Sequence, residues 1–201
     1  MPRFEPLDPP GLLRVIPDVH GDDRGFFAER WSAKDHAPHG IPTLAQVNHS
    51  RSARGVVRGL HWQAPPALQG KLVWVARGAI LDVAVDLRAG SPTFGRWATL
   101  ELTDANAHQL WIPPGFGHGF RVLSDVADVL YGTDAPYTPE ADRTVAWNDP
   151  ELNIDWGAFD EGEPILSNKD AAAPRLDDVP ERDLVPWELP ALRRIDRTDA
   201  R

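Results

Sequence analysis

Residues 56–63, "VVRGLHWQ", place two side chains suited to chemistry, Arg58 and His61, in an otherwise apolar run. Imidazole, with an unperturbed pKa of about 6.5, can accept a proton near neutral pH. The planar guanidinium of an arginine can hold a phosphate through paired hydrogen bonds. This segment therefore predicts a buried strand whose histidine is either a water-shielded general base or a hydrogen-bonded core residue.

A second histidine, His118, follows a proline–glycine turn in "PPGFGHGF", which matches the Pro-x-Gly-x-x-His part of the second cupin motif. Metal-binding cupins usually add a His-x-His from the first motif, but the corresponding residues here are His61, Trp62 and Gln63. Two imidazoles are too few for a firm metal site. We predict no catalytic metal, and a metal-dependent cupin oxygenase or isomerase is the alternative that this prediction opposes.

Three further residues are candidates for roles at the same site. Tyr131 ends an alternating strand, so its phenol could point inward to supply a proton, whereas Tyr137 follows Pro136 and should lie at a rim, where it could stack on a ring. Asp170, in "PILSNKDAAAP", matters only if its loop folds back to the histidine. The structural alternatives are two packed tyrosines with satisfied hydroxyls and a solvated aspartate.

The distribution of charge points to a small anionic ligand. The net charge of −9 argues against non-specific binding of nucleic acid. No carboxylate occurs between Asp35 and Asp82, although several cations do, and a locally positive field would attract an anion. Chance spacing of solvated cations is the alternative. The cations are Arg51, Arg54, Arg58, Lys71 and Arg77.

The elements that must position these residues are short strands. In "AILDVAVDLR" apolar residues alternate with a second set, and "KLVWVARGAILDV" suggests two strands joined as a hairpin at Arg77-Gly78. Several such strands at regular spacing predict an all-β jelly roll, whose concave interior could hold a ligand. Five histidines in polar or turn-like segments are expected at the surface: His20, His36, His39, His49 and His108.

Length and composition fit one globular domain. The 201 residues include no cysteine, which excludes disulfides, thiolate catalysis and cysteine-held metals. No run is long enough to span a membrane, and the N-terminus lacks the apolar core of a signal peptide, so we expect a cytoplasmic protein. We expect the site in residues 1–175, and residues 176–201, acidic and rich in proline, to form an extension that packs on or trails from that domain.

Several segments occur in an order that resembles the dTDP-4-dehydrorhamnose 3,5-epimerase family. The resemblance covers about residues 10–175, and although each motif alone is weak, nine of them in sequence are hard to obtain by accident. The segments are "GDDRGFFAERW", "QVNHSRS", "GVVRGLHWQ", "GKLVWVARGAILDVAVDLR", "GSPTFGRW", "WIPPGFGHGF", "YGTDAPYTPE", "WNDPELNIDW" and "PILSNKD".

The resemblance implies a fold, a substrate and a mechanism. It implies a cupin-like double-stranded β-helix with short peripheral helices, no cofactor, the substrate dTDP-4-dehydro-6-deoxyglucose, and a homodimer with exchanged N-terminal strands. Position by position, His61 matches the general base and Asp170 its orienting partner. Lys71 matches the group that stabilises the enolate, and Tyr131 the proton donor on the opposite face. The chemistry fits, because the protons at C3 and C5 of this substrate lie α to the C4 ketone.

The remaining matches concern binding of the substrate. Arg24 and Glu29 match nucleotide contacts made across the dimer, and His118 matches a residue that lines the pocket. Gln46, Asn48 and Arg58 match polar and phosphate contacts, and Tyr137 matches an aromatic that stacks on the thymine.

The sequence departs from the family at Trp62, Gly132 and Pro136, where relatives commonly have other residues. None of these positions is a proposed catalytic residue. They leave open whether C3, C5 or both are epimerised. A single-position epimerase and a non-catalytic sugar-nucleotide-binding cupin are therefore the alternatives.

Overall fold

The computed structural model describes residues 1–159 and 162–188, and its framework is two antiparallel β-sheets packed face to face. The strands are β1 Arg3–Pro6, β2 Leu13–Ile16, β3 Val19–Asp22, β4 Gly25–Ala28, β5 Gln46–Ala53, β6 Val57–Gln63, β7 Lys71–Arg77, β8 Ala79–Asp86, β9 Arg88–Ala89, β10 Trp97–Thr103, β11 Gln109–Ile112, β12 Phe116–Val122, β13 Val126–Thr133, β14 Asp142–Thr144 and β15 Val185–Pro186. Two four-residue helices accompany them, α1 Ala33–His36 and α2 Asn168–Ala171. Single 3₁₀ turns span Ala37–His39, Pro139–Ala141, Leu176–Asp178 and Glu181–Asp183.

The two main sheets have the strand order of a jelly roll. One sheet has six strands in the order β1-β2-β11-β7-β13-β5, and the other has five in the order β10-β8-β12-β6-β14. Strands that follow one another along the chain alternate repeatedly between the sheets. The prediction of an all-β jelly roll with short peripheral helices is therefore confirmed.

The alternation of side chains along each strand builds three apolar layers. On β8, Ile80 and Ala84 face the layer between the two sheets, while Val83 and Val85 face outward. The outward layer of the five-stranded sheet is covered by residues 145–159 and 162–188, so both faces of β8 are buried. The outer face of the six-stranded sheet packs against the segment that includes Trp31 and Ile41.

The predicted hairpin at Arg77-Gly78 is wrong. Strand β7 pairs with β11 and β13, whereas β8 pairs with β10 and β12, so the two strands belong to opposite sheets. Gly78 makes the corner between them with φ +81°, and a Cβ there would lie 2.1 Å from the carbonyl oxygen of Val126. A short turn signal marks the end of a strand but does not specify which sheet the next strand joins.

The expectation of a surface position is also wrong for His36. Its side chain is buried because residues 31–41 fold back over the six-stranded sheet. The Nδ1 atom lies 3.0 Å from the carbonyl oxygen of Ser32, and the ring meets Phe4 edge-on. This histidine is part of the apolar cover of the outer face.

The described part of the C-terminal extension packs on the five-stranded sheet. Leu184 and Val185 are buried, and the indole of Trp187 lies 4.3 Å from the guanidinium carbon of Arg88. The indole Nε1 of Trp62 donates to the carbonyl oxygen of Asp183 at 2.9 Å. Residues 189–201, the rest of the predicted extension, lie outside the described residues. In the described ranges, none of the helices is long and apolar enough to cross a membrane.

Candidate active site

A cavity of about 550 Å³ opens between the two sheets, and side chains from both sheets line it. All sequence-predicted site residues except Arg24 and Glu29 contribute to its wall. The predicted residues in the wall are Gln46, Asn48, Arg58, His61, Lys71, His118, Tyr131, Tyr137 and Asp170.

Arg58 and His61 share the cavity wall because strand β6 is irregular between them. In a regular strand, residues three apart point to opposite faces. The pairing of β6 with β12 shifts register between His118 and Phe120, which turns both side chains toward the cavity. Gly59 lies at this irregularity with φ +114°, and a Cβ there would lie 2.6 Å from the Cα atom of Gly119. Only glycine fits this close approach of the two backbones.

His61 and Asp170 form a hydrogen-bonded pair. The Nε2 atom of His61 lies 2.6 Å from Oδ1 of Asp170, whose side chain is almost fully buried. Ser167 precedes α2 and donates to the other carboxylate oxygen at 2.7 Å. Burial acts to raise the pKa of Asp170, but the hydrogen bonds from His61 and Ser167 outweigh it and lower this pKa. The ionised carboxylate keeps a proton on Nε2 and leaves the lone pair of Nδ1 available.

A second histidine–carboxylate pair lies next to the first. His118 on β12 is the direct cross-strand partner of His61, and its Nε2 atom lies 2.7 Å from Oδ1 of Asp82. Both members of this pair are buried. Burial lowers the pKa of His118, and so the imidazole is neutral near pH 7.

Lys71 begins strand β7 on the opposite sheet and brings a cation to the cavity. Its Nζ atom donates to the carbonyl oxygen of His61 at 3.2 Å. Burial lowers the pKa of Lys71 to about 8, although the charges of Asp142 and Asp82 act to raise it. The ammonium is therefore mostly protonated at neutral pH and lies close to the point of deprotonation.

The two tyrosines occupy different parts of the cavity. Tyr131 lies on β13 and packs against the inner core, and burial raises its pKa, which keeps the phenol protonated. Tyr137 is half exposed at the rim, as the sequence predicted, and donates from its hydroxyl to Asp142 at 2.9 Å. The side chain of Gln46 accepts from the backbone N–H of Tyr137 at 3.2 Å.

Several polar residues of the site were not predicted from the sequence, and four of them form ion pairs or hold the histidines. Asp142 and Lys169 line the cavity and form an ion pair with each other, while Ser167 and Asp82 hold the two histidine–carboxylate pairs. Strand β14, which carries Asp142, has only three residues, too few for an alternating pattern to be read. Lys169 precedes Asp170 in "SNKD", and this adjacency is the one sequence signal that could have identified it.

Most of the cations in the acid-free stretch do not face the cavity. Arg51 and Arg54 form ion pairs with Asp128 and Asp125, which come from later in the chain. Arg58 and Lys71 are the members of the stretch that line the cavity wall. A stretch without acids in the sequence is therefore not free of acids in space.

Of the three departures from the family pattern, Trp62 contributes to the cavity wall, and Gly132 and Pro136 do not. Position 132 faces outward, where a Cβ would lie 2.5 Å from a methyl carbon of Leu44, so glycine accommodates this leucine. Trp62 borders the cavity, while its indole packs in the outer apolar layer under the C-terminal extension. Pro136 precedes the rim residue Tyr137.

Arg24 and Glu29 are not brought to the cavity of their own chain. The hairpin formed by β3 and β4 is exposed, and Phe26 and Phe27 on it are 66% and 71% accessible. The guanidinium of Arg24 pairs with Asp22 on the same hairpin. In the described part of the chain, no three His, Cys, Asp or Glu side chains converge as metal ligands would.

Comparison with known proteins gives consistent similarities. The family model described as dTDP-4-dehydrorhamnose 3,5-epimerase matches residues 6–178. The chain is 51% identical to the enzyme of that name from Pseudomonas aeruginosa over 164 residues, which cover 80% of this chain and 88% of the relative.

Two solved structures resemble this fold closely. An epimerase from Legionella pneumophila, in complex with dTDP-4-keto-L-rhamnose, is 42% identical with a TM-score of 0.90, over 94% of this chain and 100% of the other. A 3'-monoepimerase from Streptomyces bikiniensis, in complex with dTDP-quinovose, is 35% identical with a TM-score of 0.85, over 96% and 98% of the two chains.

Proposed function

The chain belongs to the dTDP-4-dehydrorhamnose 3,5-epimerase family, and we propose that the cavity between its sheets carries out that reaction on dTDP-4-dehydro-6-deoxyglucose. One observation carries the proposal. The histidine of the His61–Asp170 pair lies on the five-stranded sheet and Tyr131 on the six-stranded sheet, and both line the same cavity. A hexose between them would have a base on one face and an acid on the other.

The first chemical step is removal of a proton from the carbon next to the C4 ketone. Nδ1 of His61 takes the proton, and the electron pair of the broken C–H bond moves into the C3–C4 or C4–C5 bond to give an enolate at O4. Asp170 stabilises the imidazolium that forms, because its carboxylate already contacts Nε2. The neighbouring Lys71 supplies a preorganised cation for the developing oxyanion.

The second step is reprotonation from the opposite face. The hydroxyl of Tyr131 donates a proton to the enolate carbon, which restores the ketone with the inverted configuration. The raised pKa of Tyr131, caused mainly by burial, keeps this proton in place until the enolate forms. The first inversion leaves His61 protonated and Tyr131 deprotonated. Exchange with solvent returns His61 to the neutral imidazole and Tyr131 to the phenol, and the same two transfers then occur at the other α-carbon.

The diphosphate and the base have their own contacts. Arg58 lies at the cavity wall, where its guanidinium is oriented by Ser52 at 3.0 Å and can grip the diphosphate. Gln46 and Asn48 hydrogen-bond to each other at 2.8 Å and offer polar contacts beside it. The half-exposed ring of Tyr137 at the rim suits stacking on thymine.

The test is incubation with dTDP-4-dehydro-6-deoxyglucose in D₂O, followed by NMR of the C3 and C5 positions. Deuterium should enter both positions and the inverted product should accumulate. Exchange at neither position would reject the epimerase function and favour a binding protein. Exchange at one position would indicate a single-position epimerase, the second candidate, which the similarity to a 3'-monoepimerase supports.

We further propose a homodimer in which the β3–β4 hairpin of one protomer reaches the cavity of its partner. The exposed Phe26 and Phe27 give the hairpin an apolar surface, and Arg24 and Glu29 flank them. These two polar residues would then contact the nucleotide in the partner's cavity. The cytoplasmic location expected from the sequence stays a prediction.

Mixing two inactive variants tests this exchange. If Arg24 acts in the partner's site, Arg24→Ala and His61→Ala subunits that exchange freely should regain about a quarter of the native activity, since half of the dimers would each hold one intact site. Light scattering should show a dimer. If the mixture regains no activity after it is unfolded and refolded, although each variant alone remains dimeric, the exchange is contradicted.

A further inference from the structure

The row of residues beside the catalytic histidine contains a carboxylate that the proposed reaction does not use. Asp82, His118 and His61 lie on the three adjacent strands β8, β12 and β6. Asp82 and Asp170 each contact the Nε2 atom of one histidine, at 2.7 and 2.6 Å. Both rings therefore present their Nδ1 edge to the rest of the site.

Asp82 is costly to keep at this position. Its side chain is fully buried on the inner face of β8, and Oδ2 has no hydrogen-bond partner among the described residues. A buried carboxylate with an unsatisfied oxygen destabilises the fold, and a functional role would explain its presence. The backbone does not need this contact, because β8 and β12 already pair from Ile80 to Asp86.

We propose that Asp82 is a positioning residue that fixes the ring of His118, so that Nδ1 accepts a hydrogen bond from a hydroxyl of the bound hexose. This inference rests on the proposed function for the identity of the sugar. The Nδ1 atom of His118 has no hydrogen-bond partner in the described part of the chain, and the side chain lines the cavity. With His61 as its cross-strand neighbour, His118 faces the hexose and not the nucleotide.

The surroundings of the pair favour a neutral His118. Burial lowers the pKa of His118 and raises that of Asp82, while Lys71 and His118 act to lower the latter. Lys71 and His61 both disfavour a positive His118. In the proposed arrangement Nε2 of the neutral imidazole donates to Oδ1 of Asp82, and Nδ1 is left as an acceptor.

The tautomer of His118 can be measured without any assay of turnover. Nitrogen-15 NMR of the dTDP complex should show His118 protonated on Nε2 alone in the native protein at pH 7. Asp82→Asn can donate from its amide to Nε2 and should move the proton to Nδ1, while the tautomer of His61 stays unchanged. A native His118 protonated on Nδ1 would overturn the inference, whether or not the variant folds.

Kinetics provide the second part of the test. Asp82→Asn should reduce kcat/KM about 10- to 100-fold, as expected for one lost hydrogen bond in a buried site, and should leave the affinity for dTDP unchanged because dTDP lacks the hexose. Asp82→Asn in a His118→Phe background should not lower kcat/KM further, since the carboxylate acts only through the imidazole of His118. Additive losses would contradict the inference, as would weaker binding of dTDP.

A matched control is Asp128→Asn. Asp128 lies 3.2 Å from the Nε2 atom of His49 on the six-stranded sheet and does not line the cavity. This variant removes a histidine–carboxylate contact elsewhere and should leave kcat and the tautomer of His118 unchanged. If the reaction itself proves absent, the NMR result still decides the geometry of the pair, so failure of the inference can be distinguished from failure of the proposed function.

Discussion

Replacing Asp170 by asparagine removes a negative charge from the catalytic pair and changes little else. The carboxylate oxygens contact Nε2 of His61 at 2.6 Å and the hydroxyl of Ser167 at 2.7 Å. Asparagine has nearly the same shape and can keep one hydrogen bond to each neighbour. The imidazolium of His61 forms only as the proton is transferred, so the lost charge affects the transition state and not the ground state.

The size of the effect follows from the geometry. Two unit charges about 4 Å apart interact by about 4 kcal/mol at an effective dielectric constant of about 20. This energy corresponds to about a 1000-fold change in rate. The side chain of His61 is 30% exposed, and water weakens the interaction. We therefore expect kcat to fall about 100- to 1000-fold.

The assay is the rate of deuterium entry at C3 and C5 under saturating substrate, with dTDP affinity measured by calorimetry. The affinity for dTDP should stay unchanged because dTDP lacks the hexose on which the His61–Asp170 pair acts. Ser167→Ala, which keeps the carboxylate, is the graded control and should lower kcat by no more than about 10-fold. A rate for Asp170→Asn within twofold of native would refute the role of the pair.

Further predictions concern the phosphate contact, the lysine and the fold. Arg58→Ala should weaken dTDP binding about 10- to 100-fold by calorimetry, as loss of a charged hydrogen bond predicts. Arg54→Ala, outside the cavity, is the control and should bind dTDP as the native protein does. Native affinity in Arg58→Ala would remove Arg58 from the phosphate site. Because Lys71 must be cationic and its pKa is about 8, kcat should fall as pH rises through about 8. Lys71→Arg should abolish that decline, since arginine stays charged. The same pH profile of kcat in Lys71→Arg as in the native enzyme would contradict the role of Lys71. Trp62→Ala should lower the free energy of unfolding by about 3–5 kcal/mol in urea titrations, because it leaves an empty space where the indole packed, and Trp62→Phe should lower it by less. Equal losses in the two variants would mean that this empty space is not the cause.

The sequence was sufficient to predict the class of fold because short strands recur along it, separated by turn residues. Strand β8 has apolar residues at both parities, and the structure buries both of its faces. The sequence was insufficient to pair the strands, since the glycine turn at Gly78 connects two sheets and not two neighbours in one sheet. Pairing of this kind depends on contacts between residues far apart in the chain.

The site shows the same division. Their residue types within an apolar run made His61 and Arg58 candidates for the site. Regular alternation along a strand would have placed them on opposite faces. Their common wall depends on the register shift at Gly59, which no local pattern predicts. The contact between Asp170 and His61, left open by the sequence, joins residues 109 positions apart.

The polar residues of the site that were not predicted from the sequence were missed for a physical reason. Asp82 shares the inward face of β8 with Ile80 and Ala84, but its contact with His118 depends on the pairing of β8 with β12. Asp142 lies on a strand too short to show a period. Such residues are identified only when the strands that carry them are paired.

The central claim is that base and acid act from opposite sides of the sugar. The most direct test compares deuterium entry at C3 and C5 in His61→Ala and Tyr131→Phe under identical conditions. His61→Ala should show almost no exchange, whereas Tyr131→Phe should exchange deuterium into the substrate without forming the inverted product. Normal product formation by Tyr131→Phe, or normal exchange by His61→Ala, would contradict the two-sided mechanism.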